Sequence, residues 1–157
     1  MLALVITLST IAYHLIMRLL VGTAFQHFMQ NRADYHRRWY RVGKFESSVY
    51  KHLHVQKWKN KLPTYDTSAF DPKKHTWEEI VQAMCQAECV HETNIVLSFL
   101  PIFAVHWFGA APVFIATSVC AAMIDLAFVI IQRYNRPRIV SLMQRLEKRQ
   151  PPDLRES

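Results

Sequence analysis

The chain has 157 residues, the length of about one domain. It is 51% hydrophobic and carries 19 Lys+Arg against 12 Asp+Glu, a formal net charge of +7. Three Gly and seven Pro exclude a collagen-like or flexible-linker chain. Three Cys, an odd number, exclude a fully paired disulfide framework, and with no Cys-x-x-Cys pair a zinc ribbon is excluded too.

In chain order, the first predicted element runs from Met1 to about Phe25. Up to Val21 its only ionisable side chains are His14 and Arg18. About 20 such residues cross a bilayer core as a helix. A cleaved signal peptide is the alternative. No basic residue precedes the apolar run, Arg18 falls late in it, and no clear small-x-small site follows, so it reads as a retained membrane helix. The stretch from Gln26 to His91 follows, with eleven Lys/Arg interleaved with Phe28, Tyr35, Trp39, Tyr40, Phe45, Tyr50 and Trp58. Such mixtures favour the headgroup layer. Leu62-Pro63-Thr64-Tyr65-Asp66 reads as a turn. Trp77 to His91 reads as a helix capped by Thr76, with Glu79 at capping-box spacing, and it runs on into a second apolar segment, Thr93 to Gly109. That segment holds Pro101, a kink site, and His106, an interfacial histidine near its outer end. Gly109-Ala110-Ala111-Pro112 is too short for a soluble excursion, so it links a tight hairpin to a third segment, Val113 to Ile131, whose one charge is Asp125. Pro137 to Arg149 is expected as a short interfacial helix that ends before Pro151-Pro152.

The predicted fold is therefore all-α: an integral membrane protein with about three transmembrane helices plus interfacial amphipathic helices. Residues 1–157 form a single membrane domain, divided into a first membrane helix (1–25), interfacial helices (26–91), a helical hairpin (92–132) and a basic tail (133–157). All Lys/Arg except Arg18 lie in the middle stretch or the tail. The positive-inside rule then puts both in the cytoplasm and the amino terminus outside, a multi-pass protein of the cell membrane. The same charge could serve nucleic-acid binding, but it flanks bilayer-length segments and no nucleic-acid motif occurs, so it reads as topology and lipid contact.

Several polar groups point to chemistry. His14 and Asp125 each lie seven residues from the inner end of their spans, roughly 10 Å deep. A His–Asp contact is feasible there, with Arg18, one turn below His14, as the competing partner for Asp125. Glu92 enters the second span from the same side. The plainer reading of this intramembrane set is a structural lock. Glu88 and His91, at i and i+3, share a helix face and suit a carboxylate-held general base. Their plainer reading is a solvated helix face. Glu-x-x-His is also half of a di-iron motif, but no second copy occurs, and no metal is expected. Cys85 and Cys89 suit packing better than an acyl-carrying thiolate. Gln132-Arg133-Tyr134-Asn135-Arg136-Pro137-Arg138 sets three Arg within six residues, suited to bidentate grip on phosphate, and its Asn and Pro suggest a turn. Lys57-Trp58-Lys59 is either an interfacial anchor or part of the same anion site. No Gly-rich phosphate loop, nucleophile elbow or His-x4-Asp box occurs.

At Lys57-Trp58-Lys59 with Lys61-Leu62-Pro63, at Ala87-Glu88 with His91, and at Gln132 to Arg138, the chain resembles the glycosyl-4,4'-diaponeurosporenoate acyltransferases of bacterial carotenoid pathways. The pieces come in the family's order and spacing, over about Phe45 to Arg149. Gln86 stands where a basic residue is frequent, and Glu92 where an aromatic one is. The resemblance implies fatty acylation of a sugar hydroxyl on a glycosylated carotenoid, in the last step of staphyloxanthin-type pigment synthesis.

The expected activity is thus a membrane O-acyltransferase. It would move a fatty acyl chain from a thioester donor, acyl-CoA or similar, to a lipid or carotenoid-glycoside hydroxyl, with no cofactor. Glu88 would orient His91 as base. Lys57, Lys59, Arg133, Arg136 and Arg138, with Trp58, Tyr134 and Asn135, would bind donor phosphates. Trp58 or a tail arginine would stabilise the oxyanion. This expectation has Glu88, His91 and the arginines meeting near the inner leaflet. Membrane lipids and the acceptor are the expected partners, nucleic acid is not, and the oligomeric state is open. The alternatives are a non-enzymatic scaffold or subunit of a lipid or pigment complex, and a metal-dependent enzyme using His14, Glu88, His91 and Glu92.

Overall fold

A computed structural model describes residues 2–62 and 68–149. The turn expected over 62–66 lies outside them beyond Leu62, as does the proline stop at 151–152. The described chain is helical: α1 (Leu2–Met29), α2 (Lys44–His52), α3 (Val55–Trp58), α4 (Trp77–Leu97), α5 (Val105–Phe108) and α6 (Ala111–Arg149), with short 3-10 segments between. No strand occurs among the described residues. Three stretches, Leu2–Met29, Trp77–Phe108 and Ala111–Arg149, are long and apolar enough to cross a membrane.

The chain divides into two compact units. The first comprises residues 2–30 and 87–129. Its packing inverts that of a soluble protein. Along α1 the buried face is Ile6, Thr10, His14 and Met17, at spacings of four, four and three. Leu4, Leu8, Leu15, Leu19 and Leu20 are exposed, as are Ile115, Val119, Met123 and Ile124 of α6. Asn94, Ser98, Ser118 and Asp125 are buried instead, beside small Ala121 and Ala122. Lipid-facing leucines and an interior of small and polar residues are what a hydrocarbon solvent selects. The Tyr13 hydroxyl donates to the Leu97 carbonyl at 3.0 Å, tying α1 to α4.

The second apolar stretch is interrupted, not merely kinked. Pro101 opens a 3-10 segment, Leu100–Ala104, where its missing N–H costs least. Gly109 then ends α5 at φ +65°, ψ −134°, a region open to glycine, and Ala110 follows at φ +50°. The link is therefore the tight reversal expected, and α6 starts at once.

The second unit comprises residues 31–86 and, among those described, 130–149. Its core is Tyr40, Tyr50, Val55, Ile80, Val81, Ala83, Met84 and Cys85. His54, left-handed at φ +50°, turns the chain from α2 into α3. Thr76 and Glu79 form the expected capping box: the Thr76 N–H donates to Glu79 at 2.7 Å, and the Glu79 N–H to the Thr76 hydroxyl at 3.2 Å. The separate tail helix expected from Pro137 does not exist. α6 is one 39-residue helix with Pro137 inside it. Arg133 and Arg136, on the turn before the proline, are pinned by contacts within this unit, and these hold the helix through a residue that lacks a helical donor.

Candidate functional site

Inside the first unit three helices bring four polar side chains together. Asp125 of α6 is 1% exposed. Its Oδ2 accepts from Arg18 Nη2 of α1 at 2.5 Å, and its Oδ1 lies 2.8 Å from His91 Nδ1 of α4. Asn94 Nδ2, one turn beyond His91, lies 3.5 Å from the same Oδ1. The guanidinium is held in turn: Nη2 also donates to the Ala121 carbonyl at 3.0 Å, and Nη1 to the carbonyl of His14 at 3.1 Å. The His91 ring stacks on Phe128, centroids 4.7 Å apart and planes 13° apart. The imidazole is thus fixed by stacking on one side and a carboxylate at Nδ1.

Of the two partners expected to compete for Asp125, Arg18 holds it. His14, one turn before Arg18 on α1, is buried without a hydrogen bond to the carboxylate, and neither ring nitrogen has a partner among protein atoms. The carboxylate at His91 Nδ1 is Asp125, whereas the sequence pointed to Glu88, which is fully buried one turn earlier on α4. Glu92 is partly buried, and His106 is exposed, its ring edge-on to Trp107. Among the described residues, no group of three or more His, Cys, Asp or Glu is arranged to hold a metal ion.

The second unit gathers the basic motif. Arg133 grips Glu46 of α2 through Nε and, at 3.0 Å, Nη2, and also donates to the carbonyls of Trp39 and Arg41. Tyr50 donates its hydroxyl to the same Glu46 carboxylate. Burial alone would raise the Glu46 carboxyl, but the hydrogen bonds from Arg133 and Tyr50 overcome this and hold it below its ordinary value. Arg136 is 2% exposed, donates to the Tyr40 carbonyl at 2.5 Å, and lies 5.0 Å over the Tyr40 ring. These two arginines fasten the loop before α2 onto α6.

The outward members form a different group. Tyr134 lies beneath two cations, Arg138 at 3.5 Å and Lys59 at 5.4 Å from its ring centre. Lys59 donates to Asn135 Oδ1 at 2.7 Å. Burial first, then the charge of Arg138, push the Lys59 amine below its ordinary value. Lys57 is exposed on α3, and the Trp58 indole N–H goes to the Leu53 carbonyl at 3.0 Å. Glu46, which organises this region, carries no signal in the sequence beyond being a lone acid among cations.

The fold is that of an all-α membrane protein with a buried Arg–Asp–His cluster between its helices. The sequence pattern of the family described as glycosyl-4,4'-diaponeurosporenoate acyltransferase matches residues 36–145, more than half of the chain. The chain belongs to this family and is an acyltransferase of carotenoid pigment synthesis. No curated protein and no solved structure matches it. His91, Asp125 and the 132–138 motif fall inside the matched region; His14 and Arg18 fall before it.

Proposed function

We propose that the protein transfers a fatty acyl group from a thioester donor, acyl-CoA or similar, directly to a hydroxyl of a lipid or carotenoid-glycoside acceptor. The observation that carries this reading is the 2.8 Å contact between His91 Nδ1 and the Arg18-anchored Asp125. A carboxylate there keeps the proton on Nδ1 and leaves Nε2 as the base. Nε2 takes the acceptor's hydroxyl proton as the oxygen attacks the thioester carbonyl. The tetrahedral intermediate then expels the thiolate, which takes that proton from His91. Asp125 stabilises the imidazolium between the two steps. No residue is required as a covalent carrier.

Glu88, buried on the same helix face as His91, belongs with the catalytic pair in this reading. Lys57, Lys59 and Arg138, with Tyr134 and Asn135, receive the donor's phosphates; two cations over one ring repel each other, and an anion relieves this. Arg133 and Arg136 shape that region from within. The basic loop and tail face the cytoplasm, where the donor is made. The test is His91→Gln in membranes, with lipid and pigment profiling by mass. The variant inserts normally, and the species heavier by one acyl chain falls at least ~100-fold. Undiminished product from that variant removes His91 from the reaction.

A further inference from the structure

One turn and more beyond Asp125, the first unit holds a second polar layer. Its buried atoms without protein partners are both ring nitrogens of His14, Asn94 Oδ1, Ser98 Oγ and Ser118 Oγ. They come from all three helices of the unit. The contacts already described set the register: Arg18 meets Ala121 and Asp125, Asn94 meets Asp125, and Tyr13 meets Leu97. His14 therefore lies at the level of Ser98 and Ser118, with Asn94 between that level and Asp125. Ser98 and Ser118 are fully buried, and Asn94 and His14 are 2% and 5% exposed. Most buried polar atoms in proteins have partners, and a hydrocarbon surround supplies none. Five unsatisfied atoms in one layer are better explained by a ligand than by chance.

The chemistry of the layer selects the ligand. Two hydroxyls each donate and accept, a neutral imidazole donates from one nitrogen and accepts at the other, and the amide oxygen accepts. No carboxylate, ammonium or guanidinium belongs to the layer. The charges that border it, Arg18 and Asp125, are paired with each other, so a charged headgroup would find no free counterion there, whereas O–H groups, which also donate and accept, match each position.

We infer that His14, Asn94, Ser98 and Ser118 form a binding site for the hydroxyl groups of a neutral lipid, next to the His91–Asp125 pair. This rests on the acyl-transfer reading for its purpose: it is where the acceptor's hydroxyl-bearing head is seated before the base acts. Water offers the same O–H chemistry, and the experiment separates the two sources.

The protein is reconstituted in phosphatidylcholine nanodiscs containing either 1-monoolein, a neutral diol lipid, or methyl oleate, which has the same chain and no hydroxyl. Thermal unfolding is followed without acyl donor. Monoolein raises the melting temperature of the native chain above its value with methyl oleate, because a ligand of the folded state stabilises it. Ser98→Ala, in the turn that closes α4, with Ser118→Ala on α6 lowers apparent affinity for monoolein on the order of tenfold and shrinks the shift. His14→Phe, placed in the same layer, does likewise. Equal melting temperatures in the two lipids mean that the layer holds water alone, and overturn the proposal. An undiminished shift in the double-serine variant overturns it too, by placing the hydroxyls elsewhere. His91→Gln keeps the shift, so loss of the acyl-transfer reading and loss of this site register in different measurements.

Discussion

Arg18 and Asp125 form an ion pair within the span, and its contribution to stability can be separated from the chemical role proposed for Asp125. Asp125 is 1% exposed and Arg18 is partly buried, so each is costly alone in the span and tolerated as a pair. Breaking a buried pair from one side costs about 3–5 kcal/mol, mostly for the charge left behind. Arg18→Met and Asp125→Asn should each lower resistance to thermal unfolding in detergent. The double variant should recover part of the loss, because neither charge is stranded. Transfer separates them: Arg18→Met keeps the Asp–His contact and retains more activity than Asp125→Asn, which removes the charge facing the imidazolium. Equal activities in the two single variants would reduce Asp125 to a structural role. Glu46 gives a second test, in the other unit. Its carboxyl is held below its ordinary value of 4.5, so the charged form stabilises the folded state. That contribution is fully present above pH 4.5 and is lost as pH falls through the lowered value. Glu46→Gln should flatten this acid limb in a pH series of melting temperatures while leaving the neutral range parallel to the native chain.

Helices α1, α4 and α6 were legible in different degrees, for reasons that sit at the level of the element. α1 and the hairpin follow from length and hydropathy, because a bilayer demands an unbroken apolar run. The Thr76–Glu79 cap was legible because its hydrogen bonds span three residues and need nothing distant. Thr76→Ala should therefore cost about 1 kcal/mol. Glu79→Gln, which preserves the box, should cost less, and chemical denaturation followed by helicity can rank the two. The course of α6 through Pro137 was not legible. The local rule says break, and what overrides it is the grip of Arg133 on Glu46 and of Arg136 on the Tyr40 carbonyl, both across more than 80 residues of sequence. The partner of His91 was hidden for a related reason. Residue counting gives depth only to within about a turn: it put His14 and Asp125 at one level, whereas the Arg18–Asp125 contact sets His14 one turn away. Counting does not give rotation about the helix axis, which decides that His91 faces Asp125 and that Arg18 reaches the carboxylate ahead of His14. The layer of Asn94, Ser98 and Ser118 left only a faint signal. The first two lie four residues apart, and Ser118 lies seven before Asp125, each on one helical stripe.

The distribution of charge over the whole chain makes a claim that no local contact makes. All Lys/Arg but Arg18 fall between Gln26 and His91 or after Ile131, and the link at 109–112 has none. Positive residues near the ends of spans resist translocation, so this asymmetry predicts an orientation with the loop and tail inside and the link outside. Arg18 does not disturb it, because its charge is matched by Asp125 within the span. The prediction can be read with thiol labelling. After the three native cysteines are replaced, a single cysteine is introduced either at Ala110, in the link, or at Ser141, exposed on α6. A membrane-impermeant maleimide applied to intact cells should modify Ala110→Cys and should reach Ser141→Cys only after permeabilisation. Labelling of both from one side would remove a crossing from the chain. Reversed accessibility would turn the basic surface outward, leaving Lys57, Lys59 and Arg138 facing away from a cytoplasmic thioester donor, and the proposed route of the acyl group would have to be redrawn.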